Sequence, residues 1–393
     1  MNKKRKQLTL IERWEIDIES YKQGAKIETA VPQCEKCKYY NKGNALHCEI
    51  FNDEKKPQYV IFIEKECPSF VSNDILDISV LNEIENRLYG GIFGFCIGDM
   101  LGVPVEFSTR DERDNDEVKE LRAYGTYHQP FGAWSDDTSL MLGLIDAFNK
   151  GFSMDKLAEN FVSYYKNGKF TPNGEMFDIG ISTRNAIEKI IQGVEPVKCG
   201  GNSEEDNGNG SLMRILPLAY LENKYDEEQI VKLVENVSSI THTHIRSKLA
   251  CIIYVELASQ LIQGKEKLEA YEETIEFISK NCSEVYFKEF INFKNIINKN
   301  IINFRREEIK STGYVVDTLE AVLWLFFNKN SYEEMVLGAV NLGGDTDTIA
   351  AIVGGIGGIY YGFNTIPNRW VQNVERKSEI KEMIKVFLKI ISD

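Results

Sequence analysis

Two short acidic runs far apart in the chain carry the residue types most suited to chemistry. Trp134-Ser135-Asp136-Asp137-Thr138 and Gly343-Gly344-Asp345-Thr346-Asp347-Thr348 each set two carboxylates beside hydroxyls, immediately ahead of an apolar stretch. Four Asp side chains drawn together would repel unless divalent cations held them. Ser135, Thr138, Thr346 and Thr348 add hard oxygen donors, which suit Mg²⁺ or Mn²⁺ better than zinc. The competing account is helix capping, because Asp favours a helix N-terminus. One cap per helix would suffice, so the doublets point to metal. Two dications about 3.5–4 Å apart can orient a diol and activate a water together.

Three further segments share the composition of a site. Gly98 to Phe107 ends an apolar stretch and presents Glu106 alone in apolar surroundings, where a raised pKa would suit a general acid or base; the alternative is a surface Glu after a proline turn. Asn207-Gly208-Asn209-Gly210-Ser211 is either a plain Asn-Gly turn or a turn feeding a helix whose free N–H groups receive a diphosphate. Thr241-His242-Thr243-His244 puts two imidazoles at i and i+2, which share no helix face, so a single polar contact to a ligand is expected rather than a zinc pair.

Cys34, Cys37, Cys48 and Cys67 crowd the N-terminal region in a Cys-x2-Cys-x10-Cys-x18-Cys pattern. One tight pair plus two further thiols matches a tetrahedral structural Zn²⁺, and a segment too short for its own core would take its folding energy from the metal. Pro68 after Cys67 leaves an iron–sulfur cluster open, and His47 could stand in as a ligand. Cys96, Cys199, Cys251 and Cys282 are scattered and read as reduced core thiols.

The elements that must position these groups are helical. Apolar periodicity and caps predict helices over Glu83–Cys96, Thr138–Asn149, Met154 to Gly168 behind the Ser153 cap, Ile179–Gln192, Gly210–Leu221, His244–Ile262, Lys265–Lys280, Thr318–Phe327, Thr348–Tyr361 and Ser378–Ile391. Asp226 with Gln229, and Ser331 with Glu334, are capping-box candidates. Gly90, Gly91, Gly94 and Gly98, and Gly354, Gly355, Gly357 and Gly358, fit no phosphate-loop pattern and are assigned to close helix packing. The expected fold is therefore all-α, with residues 1–29 a charged lead-in, 30–72 a four-cysteine module containing a strand-like Tyr59–Ile63, and 73–393 the main domain.

A chain of 393 residues with 43% hydrophobic content can bury a large core, and its net charge of −14 argues against a broad nucleic-acid footprint. The basic tip Lys3 to Lys6 is read as a solvated terminus. No apolar run of transmembrane length and no signal-peptide core are expected, which makes the protein soluble and cytoplasmic.

Taken in order, Gly94 to Glu106, the Ser-Asp-Asp-Thr run, Asp178 to Thr183, Gly208 to Arg214, Thr241-His242 and the Gly-Gly-Asp-Thr-Asp-Thr run resemble the ADP-ribosylglycohydrolase family over about residues 85–370. The resemblance implies a compact multi-helix domain with a binuclear Mg²⁺ or Mn²⁺ centre that hydrolyses the ADP-ribosyl C1″ bond and removes ADP-ribose from a modified acceptor. It places Ser135, Asp136, Asp137, Asp345, Asp347 and Thr348 at metal-ligand positions. Glu106 falls on a mobile acidic position close to the metals in some members, Asp178 on an acidic position near the scissile ribose, Asn209 and His242 on ADP-ribose contacts, and Gly210 and Ser211 in the turn facing the diphosphate. The implied partner is an ADP-ribosylated protein or other conjugate. The alternative is an interaction or immunity protein that occludes a transferase or toxin through its N-terminal extension, which has no counterpart in the family.

Overall fold

The computed structural model describes residues 81–392 apart from Ser283, together with Cys34, 37–41, 44, 46–61, Cys67, Ser69 and Ile78. The 1–29 lead-in lies outside the described residues. Among them the architecture is helical with no strand; backbone pairing is limited to isolated bridges such as Gly201 with His242 and Gly208 with Tyr314. Numbering the α-helices of nine or more residues gives α1 Glu83–Gly102, α2 Asp136–Asn149, α3 Met154–Asn167, α4 Ile181–Ile191, α5 Glu227–Ser239, α6 Ile245–Ile262, α7 Lys267–Asn281, α8 Val315–Asn328, α9 Tyr332–Val340, α10 Thr346–Tyr361 and α11 Lys377–Ser392.

The centre of the molecule is the antiparallel pair α1 and α10. A Cβ on Gly90, Gly94 or Gly98 would come within 2.1, 2.5 and 2.0 Å of the carbonyl oxygens of Gly358, Gly354 and Ala350. The glycines therefore let two backbones touch, as the sequence pattern predicted. The stripe ends where Gly102 meets Asp347, and Thr346 Oγ1 donates to the Gly102 carbonyl at 2.9 Å. This contact carries α1 on to Gly102, past the predicted end at Cys96. It also seats the second acidic run against the C-terminal end of α1.

α9 and α8 pack on α10, α6 closes one side, and α2 lies against α3 and α11. The predicted caps recur: Ser153 Oγ accepts from Lys156 N, Gly168 closes α3 at φ +61°, and Asp226 with Gln229 forms a full capping box on α5. Ser331 caps α9, but Glu334 reaches Asn330 N instead of completing the box.

Three expectations are corrected. Gly210–Leu221 is not an α-helix but two 3₁₀ segments, Asn209–Arg214 and Leu216–Lys224. Pro217 has no N–H to continue an α-ladder, and its ring crowds the preceding turn. The strand-like stretch is a helical turn over Gln58–Ile61, started by Pro57, whose carbonyl accepts from Val60 N and Ile61 N; Phe62 and Ile63 lie outside the described residues. Finally, Glu83–Val105 is long and apolar enough by length and composition to cross a membrane, contrary to the expectation that no such run exists. Its apolar part is buried within the protein, where α10 and α11 cover it.

Candidate active site

The two acidic runs open helices α2 and α10, and the fold brings those two N-termini together. Thr348 Oγ1 donates to Asp137 Oδ2 at 3.3 Å, and Ser135 Oγ donates to the same oxygen at 2.9 Å. Asp136, Asp137 and Asp347 are buried and Asp345 is half-buried. They form the floor of a cavity of about 330 Å³, whose walls include Glu106, Asp178, Gly208, Asn209, Gly210 and His242.

Each run is placed by a specific local device. Gly343 and Gly344 have φ of +72° and +76°, which only glycine adopts without strain. Gly344 N donates to Ser108 O at 2.7 Å, and Phe107 N to Gly344 O at 2.8 Å. That reciprocal pair clamps Glu106–Ser108 beside Asp345 and holds Phe107 in a left-handed conformation, φ +63°. One carboxylate oxygen from each of Glu106, Asp345 and Asp347 consequently lie within 4.8 Å of one another.

Capping accounts for only part of the Asp doublets. At α2 the cap is Ser135, reinforced by Asp99, which accepts from Ser135 N at 2.9 Å and from Thr138 N at 3.0 Å. At α10 Asp345 is the cap residue, yet its side chain makes no cap bond and instead accepts from Asn209 Nδ2 at 2.7 Å. Asp347 Oδ1 accepts from Thr348 N at 2.9 Å in the first turn of α10, but all four carboxylates line the cavity.

Their electrostatics are severe. Burial, then mutual repulsion, pushes Asp136, Asp137 and Asp347 well above the ordinary carboxylate range, and burial raises Asp345. Glu106 is raised to about 9 by burial, then by Asp178 and Asp345. No Lys or Arg ion pair with these groups occurs among the described residues, and Asp137 Oδ1 and Glu106 Oε2 are buried with no hydrogen-bond partner. A buried, uncompensated carboxylate cluster with orphaned oxygens fits divalent cations.

The remaining predicted residues divide by placement. Asp178 faces the cavity with its carbonyl held by the Tyr164 hydroxyl, and Gly180 N donates to Asp136 Oδ2 at 3.4 Å. His242 lines the cavity with Nδ1 on Thr241 Oγ1 at 2.7 Å, and burial, then the Arg214 charge, lowers its pKa to about 3. Gly210 also lines the cavity, but the Ser211 side chain does not. It is fully buried against Cys251 and Ser238, so only its backbone remains near the turn. The Ser135 hydroxyl serves Asp137 and the α2 cap. His244 caps α6, and its neighbours Glu204 and Glu289 are neutralised by Arg246.

Two positioning residues escaped the sequence reading. Asp99, raised to about 6 by burial, ties α1 to the first acidic run. Arg214, fully buried, donates to Gly210 O at 2.6 Å and Thr241 Oγ1 at 2.7 Å, tying the turn to the histidine. A charged residue inside an apolar stretch was the available signal for both. Tyr127, whose hydroxyl lies against both Glu106 and Asp178, gave no such signal.

The family model for ADP-ribosylglycohydrolase matches residues 81–392, which takes in every cavity residue named above. The chain belongs to the ADP-ribosylglycohydrolase family. Among its relatives, the ADP-ribosylarginine hydrolase Tri1 of Pseudomonas putida is 31% identical over 76% of this chain and 76% of its own. The Serratia proteamaculans Tri1 is 29% identical over 77% and 79%. The ADP-ribosyl-[dinitrogen reductase] glycohydrolase of Rhodospirillum rubrum is 28% identical over 75% and 92%. A solved structure of an ADP-ribosylglycohydrolase-related protein complex superposes with a TM-score of 0.66 at 26% identity, covering 79% of this chain and all of that one. The protein is accordingly a glycosidic-bond hydrolase that removes ADP-ribose, built on this family's all-α fold.

Proposed function

We propose that the protein is a Mg²⁺- or Mn²⁺-dependent hydrolase that releases ADP-ribose from arginine side chains of modified proteins. The observation that carries the metal reading is the set of buried Asp136, Asp137 and Asp347 with half-buried Asp345, joined through Thr348 and lacking any basic partner among the described residues. The arginine acceptor is supported by the two relatives named as ADP-ribosylarginine hydrolases.

In this reading the four Asp carboxylates and Thr348 would hold two dications. When bound, such a pair supplies Lewis-acid polarisation of a ribose diol and an activated water. The chain's own residues do the rest. Glu106, poised by burial to keep a proton, delivers it to the departing acceptor as the C1″ bond breaks through an oxocarbenium-like transition state. Asp178, which shares the Tyr127 hydroxyl with Glu106, offers negative charge to the developing cation. The backbone at Gly208–Gly210 receives the diphosphate, and neutral His242 offers a polar contact without a competing charge.

The N-terminal cysteine module, which precedes the family match, is read as a structural zinc unit that receives the modified macromolecule. ADP-ribose release from arginine-, serine- and nucleic-acid-linked conjugates, compared in Mg²⁺, Mn²⁺ and EDTA, tests the activity. Turnover confined to the arginine conjugate and lost in EDTA is expected; preference for another linkage overturns the acceptor.

A further inference from the structure

We infer that a groove beside the catalytic cavity, divided from it by Phe107, receives the polypeptide that carries the modified residue. The inference rests on the role given to Glu106 above and names where the acceptor lies.

Glu106 and Phe107 wall two cavities at once: the catalytic one, and a second of about 630 Å³ that also takes in Pro104, Ser108, Asn115 and Thr126. An acid must lie within hydrogen-bond reach of the atom it protonates, so the departing atom of the acceptor sits at Glu106. The cavity that shares this wall is the adjoining space for the chain behind that atom, and its size is that of a ligand site.

Phe107 is the ridge between the two. It is 68% exposed, and its hydrogen-bonded pairing with Gly344 holds it at φ +63°, where a bulky side chain is strained. Its ring leans on Tyr127 with centroids 6.5 Å apart, which leaves most of its apolar surface in water. Ile181, 79% exposed, stands at the same catalytic cavity. Two exposed apolar side chains above an acidic floor suit a macromolecular partner, which can cover them as ADP-ribose enters below.

The groove itself is firmly built. Thr126 N donates to Pro104 O at 3.1 Å and Thr126 Oγ1 to Glu106 O at 2.9 Å, which pins the segment before Phe107. On the other side stands the short helix Arg110–Asn115, started by a capping box between Thr109 and Glu112. Arg110 anchors it by donating to the carbonyls of Leu342 at 3.0 Å, Arg306 at 2.8 Å and Ile309 at 2.7 Å. Asp116 is paired with Arg113 and Arg122, so the groove carries little net charge and selects by shape and apolar contact. A wall fixed in advance adds no ordering cost when the acceptor binds.

The test compares an ADP-ribosylarginine protein with free ADP-ribosylarginine as substrates of the full chain, of Phe107→Ala and of Asn115→Trp, which fills the groove from the exposed end of the short helix. In each variant the ratio of kcat/KM for the protein to that for the amino acid should fall about tenfold, through KM, as expected for one apolar side chain's burial. Both rates scale with the folded fraction, so the ratio is blind to it. Inhibition by free ADP-ribose should match the wild type. An unchanged ratio in either variant overturns the groove, as does a wild type that cleaves the amino acid as well as the protein. Equal losses on both substrates, with weaker ADP-ribose inhibition in Phe107→Ala, also overturn it by assigning the ring to the nucleotide. If the wild type acts only on another linkage, the arginine reading fails by itself. The groove then stands or falls on the same ratio, measured with the protein and single-residue forms of that linkage.

Discussion

Thr348 Oγ1 lies 3.3 Å from Asp137 Oδ2 and donates to it, joining two helix starts 211 positions apart in the chain. Through that hydrogen bond the two acidic runs become one cluster. Thr348→Val removes the hydroxyl at nearly constant volume and leaves Asp137 Oδ2 with Ser135 alone. The Mn²⁺ concentration for half-maximal activity should rise about 10–100-fold. An unchanged midpoint in the metal titration would show that the link is incidental.

Asp99 acts one step behind the cluster. It accepts two backbone N–H groups, one on each oxygen, at the start of α2. In Asp99→Asn only one oxygen remains and an NH₂ meets the other donor. A loss of about 1–3 kcal/mol in unfolding free energy is expected, with a fall in kcat/KM beyond that caused by the lower folded fraction. Denaturant melts and kinetics on the same preparation separate the two.

The glycine stripe gives a paired prediction. Gly98→Ala would place a methyl 2.0 Å from the Ala350 carbonyl oxygen and should destabilise by about 1–3 kcal/mol while displacing Asp347. Gly143→Ala, inside α2, meets nothing closer than Phe170 at 3.5 Å and should stabilise by about 0.5–1 kcal/mol. Equal effects at both sites would refute the packing role of the stripe.

Much of this arrangement was legible in the sequence, and what was not has a common cause. The acidic runs, Glu106, Asp178 and His242 announce themselves by residue type, and all but Ser135, Thr138, Thr346 and Ser211 among the cavity candidates face the cavity. Helices α3 and α5 were readable because their caps are local. Asp99, Arg214 and the amide of Asn209 were missed as positioning groups because their partners lie 27 to 136 positions away. Only the fold pairs them. The helix predicted over Gly210–Leu221 gives way at Pro217, which has no N–H for an α-ladder.

His242 supplies a pH signature. Its folded pKa of about 3 lies below the unfolded value near 6.5, since burial and Arg214 outweigh the attraction of Asp206. Its contribution to stability is therefore fully present above pH 6.5. It is lost as the pH falls from there toward 3, because only the unfolded chain takes up the proton. Melting temperatures of the wild type and His242→Gln between pH 7.5 and 4.5 should converge as the pH drops. Parallel curves would mean that folding leaves the His242 pKa unshifted.

The most direct test of the central claim follows ADP-ribose release from an ADP-ribosylarginine protein by the wild type, Asp136→Asn and Asp347→Asn, before and after EDTA. The account predicts that EDTA stops the wild type and Mg²⁺ or Mn²⁺ restores it. Each variant should be slower by about 10³ or more, a barrier increase of about 4 kcal/mol, while still melting cooperatively. Wild-type turnover that survives EDTA, or a folded Asp347→Asn that keeps its rate, would contradict it.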